Sequence, residues 1–193
     1  MNKIRRIGFL GGPGIGKSTC ATRLFSELKT LQYNIEYVSE YVKKWAIDKK
    51  PIKEYDQIYF LGKQQHYEYQ NLINGIEYII TDSPMLLTYI YSKIYYPNNK
   101  RLHKGIKELI LDYELQYPSL NVFLNRNNKF YNSLGRYQTK QQAKNIDQLI
   151  KEECEIFSNE IKRPYINAYF DFNDYDGILN YLNKELKNNK NKL

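Results

Sequence analysis

Gly11, Gly12, Gly14 and Gly16 crowd in front of Lys17, Ser18 and Thr19 in the stretch "GGPGIGKST". Glycine tolerates the positive φ angles that turn successive backbone N–H groups inward. The spacing Gly11-x-x-x-x-Gly16-Lys17-Ser18 satisfies the P-loop pattern, which needs a strand before it and a helix after it. "RIGFLG" (5–10) reads as a short buried strand. "KSTCATRLFSELKTL" (17–31) repeats Ala21, Leu24, Leu28 and Leu31 at helical spacing. Inward N–H groups and the positive end of the helix dipole hold a triphosphate. The pattern assigns Gly11, Gly12, Gly14, Ile15 and Gly16 to the cradle and Lys17 to the β- and γ-phosphates. It gives Ser18 to Mg²⁺ and Thr19 to the α-phosphate. It says nothing of what the phosphate is for.

Two acids can decide that. Asp82 closes the strand-like "EYIITD", where a carboxylate orients Mg²⁺; the same residue in "DSPMLL" fits the N-cap of the next helix. Glu40 closes another strand in "YVSEYVKKWA". A carboxylate there can take the proton of an attacking hydroxyl, or it is a surface glutamate favoured by the dipole of a first helical turn. Motor ATPases follow the strand-end Asp with a Glu that activates water. Here Ser83 follows Asp82, which favours transfer to an acceptor over hydrolysis.

The elements that must position these groups alternate. Strands are expected at 5–10, 33–39, 77–82, 120–125 and 164–170. Helices are expected at 17–31, 55–73, after Pro84, at about 102–115, at 139–161 and at the C-terminal end. Such alternation implies right-handed crossovers and a parallel sheet covered on both faces, an α/β fold in one domain over 1–193. Ligands gather beyond the carboxyl ends of such strands: at Gly11–Thr19, Glu40, Asp82, Arg126 and the segment after about 170.

Composition bounds the reading. At 193 residues, with 42% hydrophobic and 26% charged residues, the chain has the make-up of a globular protein. The 20 tyrosines accompany abundant Asn, Lys and Ile, a bias that AT-rich coding explains without invoking binding. Two cysteines, Cys20 and Cys154, do not make a disulfide framework and suit a reducing cytoplasm. No apolar run is long enough to span a bilayer, and the basic N-terminus is not expected to act as a signal peptide. His66 and His103 lack neighbours at ligand spacing, so no structural zinc is expected. The net charge of +8 admits a polyanion partner such as DNA, or nucleotide phosphates plus solvated helix faces. Arg126, Lys129, Arg136, Lys140 and Lys144 form a basic segment with no acid among them. The basic tail at about 184–193 reads as a fraying helix end, or as a further contact for nucleic acid.

The Glu-x-Val-x-x-Trp spacing of Glu40, Val42 and Trp45 is similar to the segment after the second strand of deoxyribonucleoside kinases, though Tyr41 stands where those kinases usually carry Pro. The wider run resembles the ribosylnicotinamide kinase domain of the NadR type and its bacteriophage-encoded relatives. "GGPGIGKST", "EYVKKWA", "YDQIYFLGKQQHYEY", "YIITDSPMLLTYIY" and "LNVFLNRNNKFYNSLGRYQTKQQAKNID" carry that likeness over about residues 7–170. The resemblance implies a three-layer P-loop NTPase sandwich with a five-stranded parallel sheet in the order 2-3-1-4-5 and a mobile lid at about 126–138. It implies Glu40 as catalytic base, Asp82 as the partner of Mg²⁺, and Arg126 and Arg136 as lid arginines on the transferring phosphoryl group. Trp45 would stack on an acceptor or join the core. Gln64 would read a base edge or belong to the exposed side of its helix. Tyr131 and Asn132 would touch the acceptor. The implied activity is transfer of the γ-phosphate of ATP, with Mg²⁺, to a hydroxyl of a nucleoside, nucleotide or related small molecule. The alternatives are a kinase acting on a modified base such as 5-hydroxymethyluridine in DNA, and a nucleotide-gated binding module or ATPase with no acceptor.

Overall fold

The computed structural model describes residues 3–126 and 137–190. Its order is β1 (Arg6–Leu10), α1 (Lys17–Thr30), β2 (Ile35–Val38), α2 (Val42–Ile47), α3 (Asp56–Ile73), β3 (Tyr78–Thr81), α4 (Leu86–Tyr95), α5 (Lys100–Gln116), β4 (Ser119–Asn125), α6 (Lys140–Ile161), β5 (Ala168–Asp171) and α7 (Tyr175–Lys190). All five strands run parallel in the order β2-β3-β1-β4-β5, as the resemblance implied.

The central strand explains the layering. Every residue of β1 is buried, because β3 and β4 flank it and helices cover both its faces. Ile7 and Phe9 pack with Ala21, Leu24 and Leu28 of α1 and with Ile178, Leu182 and Leu186 of α7. Leu10 faces the other layer, with Ile90 of α4, Ile106 and Ile110 of α5, and Ile146 and Ile150 of α6. A strand buried on both faces needs a continuous apolar run, and "IGFL" supplies one.

Two elements differ from the sequence expectations. Helix α2 starts at Val42, after Tyr41 at its N-cap, so the first helical turn offered for Glu40 begins beyond it; at six residues, none of them buried, the helix is too short for hydrophobic periodicity to mark its bounds. Strand β5 is only Ala168–Asp171, against the expected 164–170. Pro164 cannot donate to a ladder, and Tyr165 is drawn into the core against Phe157 instead of pairing. As an edge strand, β5 shows only partial burial.

Candidate active site

The carboxyl ends of β1, β2 and β3 converge. From Gly11 the chain winds through a loop with positive φ at Gly11 (135°), Gly14 (75°) and Gly16 (103°), conformations that favour glycine. Gly16 is the N-cap of α1 and provides no side-chain cap, so the first-turn N–H groups point into the loop. Lys17 Nζ donates to the carbonyls of Gly11 (2.7 Å) and Gly12 (3.0 Å), so its charge lies across the cradle.

Asp82 joins three strand ends. Its Oδ2 accepts the Ser18 hydroxyl, and its Oδ1 accepts the backbone N–H of Glu40 at 2.9 Å. Asp82 is 1% exposed, and α4 begins only at Leu86 with Met85 at its N-cap. The N-cap alternative for Asp82 is therefore corrected: its carboxylate faces the loop serine and the Glu40 backbone. Glu40 precedes α2 instead of sitting in its first turn, and it is partly exposed beside Asp82. Tyr37 of β2 lies against the same acids. Burial, with Asp82 and Glu40 nearby, pushes its phenol well above the usual range, so it stays neutral.

Ser18 and Asp82 bring a hydroxyl and a carboxylate oxygen together, hard donors of the kind that hold Mg²⁺. Among the described residues, no group of three or more His, Cys, Asp and Glu side chains is placed to hold a metal ion.

Arg126, just past β4, closes the far side of the loop. Its Nε and Nη2 grip Asp147 of α6 (2.6 and 3.2 Å), and Nη2 also donates to the Pro13 carbonyl (3.0 Å). Asp147 Oδ1 accepts the Gly12 N–H at 2.6 Å. Arg136 and Tyr131, with Lys129, Asn132 and most of the expected lid at about 126–138, lie outside the described residues.

Beyond Glu40, Trp45 of α2 is half-buried and meets Phe60 edge-on, with ring centroids 5.0 Å apart. Tyr41 and Tyr59 join it, their hydroxyls 2.7 Å apart. Gln64 is buried, which corrects the expectation of an exposed polar helix face there. Its Nε2 donates to Glu68 Oε1 (2.8 Å) and Thr81 Oγ1 (3.0 Å). Glu68 in turn accepts from Arg6 Nε at 2.7 Å. This chain fastens α3 to the strand end that carries Asp82. A cavity of about 610 Å³ lies along α6 and the approach to β5, lined by Lys151, Cys154, Arg163 and Tyr169; neither the glycine loop nor Asp82 nor Glu40 lines it.

The AAA domain family model matches residues 6–166, from the first residue of β1 to the approach to β5. The chain belongs to this AAA domain family. Solved structures carry the same fold. The NadR protein in complex with NAD and AMP-PNP aligns with a TM-score of 0.68 at 13% identity, over 94% of this chain and 49% of NadR, so the chain spans about half of that protein's length. Deoxyadenosine kinase from M. mycoides with bound dATP gives 0.61 at 20% identity, over 94% of this chain and 99% of that one. Thymidylate kinase from Ehrlichia chaffeensis gives 0.61 at 14%, over 96% and 100%. No curated protein sequence matches the chain. At these identities the likeness establishes the P-loop kinase fold, within which the loop, Asp82 and Glu40 stand at strand ends as the sequence placed them.

Sequence reasoning missed Asp147, Tyr37 and Thr81. Asp147 carried a signal: it is the first acid after Arg126 and ends the basic segment. Tyr37 was hidden among 20 tyrosines. Among the described residues, no helix is long and apolar enough to cross a membrane. Both cysteines are buried and unpaired.

Proposed function

We propose that the chain transfers the γ-phosphate of ATP to a hydroxyl of a nucleoside, nucleotide or related small molecule. The observation that supports this most is Asp82 joining the P-loop serine to the backbone of Glu40. That pair of contacts ties the donor cradle to Glu40, the acid proposed to face the acceptor.

The loop N–H groups and Lys17 hold the β- and γ-phosphates, with Lys17 exchanging the Gly11 and Gly12 carbonyls for phosphate oxygens. Ser18 and Asp82 are the residues that would hold Mg²⁺, whose charge offsets that of the phosphates. The acceptor oxygen forms a bond to the γ-phosphorus as the bond from that phosphorus to the bridging β,γ-oxygen breaks. ADP leaves with the bridging electron pair, and the acceptor proton passes to the Glu40 carboxylate. Arg126 neutralises charge on the transferring group. Trp45 and Tyr59 offer flat apolar faces to an acceptor ring.

The test is a screen with γ-labelled ATP against nucleosides, nucleotides, ribosylnicotinamide and DNA carrying hydroxymethylated bases. Label on a small-molecule acceptor is expected. Label only on DNA would move the reading to a nucleic-acid kinase. Release of inorganic phosphate with no labelled acceptor would leave an ATPase.

A further inference from the structure

Arg126 does not stand alone beside the phosphate loop. Asp147, seven residues into α6, holds it by two nitrogens and holds the loop by the Gly12 amide. The Arg126 and Asp147 side chains are 8% and 14% exposed, so the pair is largely withdrawn from water. The start of α6 is fixed by a capping box: Thr139 accepts from the Gln142 N–H, and the Gln142 side chain accepts from the Thr139 N–H. Ala143 and Asp147, four apart, then share the helix face that meets the loop. The fit is close. A Cβ on Gly12 would come within 2.7 Å of both the Ala143 carbonyl and Asp147 Oδ1, and within 3.1 Å of Arg126 Nη2.

A carboxylate at the rim of a phosphate cradle repels the phosphates unless it is neutralised. Here it is matched by the guanidinium in a forked ion pair, which fixes orientation as well as charge. With Nε and Nη2 committed to Asp147 and the Pro13 carbonyl, Nη1 has no hydrogen-bond partner among the described residues. The acid is therefore set to aim the arginine.

We infer that Asp147 is a positioning residue: it holds Arg126 against Gly12 and Pro13 so that the guanidinium is already in place for the terminal phosphate of the nucleotide. The inference rests on the nucleotide reading of the loop made above. It makes Arg126 a built part of the loop's rim.

Titration calorimetry with AMP-PNP and with ADP tests this without any acceptor. Asp147→Ala and Arg126→Ala are each expected to weaken AMP-PNP roughly tenfold, one lost charge-assisted contact, and to change ADP much less. The double variant should bind AMP-PNP no more weakly than Arg126→Ala alone, because Asp147 acts through the arginine. Asp147→Asn keeps an acceptor for the Gly12 amide and keeps the test open if Asp147→Ala unfolds early. It should share the AMP-PNP defect. Additive losses in the double variant, equal losses for AMP-PNP and ADP, or wild-type affinity in Asp147→Asn would overturn the inference while leaving the loop reading intact. If Lys17→Ala bound both nucleotides as tightly as wild type, the nucleotide reading would fall, and this inference with it.

Discussion

The two halves of the proposed site, the donor cradle and the acceptor surface, are built in different ways. The donor half is backbone held by buried side chains: Gly12, Pro13 and Ser18 are each tied to Asp147, Arg126 or Asp82 by groups almost out of water. The acceptor half is side-chain surface. Trp45, Tyr41 and Tyr59 lean on one another around Phe60, and Tyr59 is 43% exposed. Every P-loop enzyme must hold the same phosphates, which demands fixed backbone geometry. An acceptor varies from enzyme to enzyme, and exchangeable aromatic side chains on α2 and α3 suit that variation.

The strongest way to break this contrast is Lys17→Ala. Loss of the one lysine of the cradle should lower phosphoryl transfer by roughly 10³-fold or more, because charge aimed at the transition state is lost where water is excluded. Trp45→Ala should instead raise KM for the acceptor and leave KM for ATP near wild type. If Trp45→Ala moved the ATP constant instead, the division into halves would be wrong.

Glu40 sits at the seam, and Glu40→Gln sharpens where the seam runs. As the base it should cost roughly 10²-fold in kcat with little change in KM for either substrate. Glu40→Gln keeps the backbone N–H that Asp82 accepts, so the contact joining the halves survives and the loss reports the carboxylate alone. Turnover near wild type would move the proton to another group or to solvent.

The two halves were also unequally legible. The loop, the strand-end acids and a parallel sheet followed from motif spacing and alternation, since a P-loop dictates its own neighbours, while the strand order came from the family resemblance. The role of Asp147 did not, because it depends on how α6 packs over the loop, a contact 135 positions apart in the chain. Helix α2 is too short for periodicity to mark its bounds. Gln64 shows the limit from the other side. Its place on a long helix suggested either a base reader or an exposed polar residue, and its burial follows from Glu68 and Thr81, which only the fold brings together.

Gln64→Leu tests that bracing. It removes both donated hydrogen bonds and leaves the buried Glu68 carboxylate with one donor fewer, a cost of about 2 kcal/mol. Thermal melts should show Tm falling by roughly 4–8 °C for a chain of this size. The acceptor KM should change less than it does for Trp45→Ala. A larger KM effect with unchanged Tm would move Gln64 from the scaffold to the acceptor surface.

The smallest effect at neutral pH is one the two halves share. Burial pushes Tyr95, beside Gln138 on the acceptor side, up to about 12, and likewise Tyr175, beneath Arg23 at the donor side. In the unfolded chain both would ionise near the ordinary tyrosine value of about 10. A folded value above the unfolded one means the fold favours the neutral phenol. That stability is fully present below about pH 10 and is lost as pH rises through the folded values near 12. Denaturant melts should therefore be flat from pH 7 to 9 and weaken progressively beyond 10, with tyrosinate absorbance at 295 nm rising together with unfolding. Tyr175→Phe and Tyr95→Phe should each flatten the alkaline limb. If only Tyr175→Phe does so, the tyrosine of the acceptor side ionises without resistance from the fold, and the looser construction of that half extends down to α4.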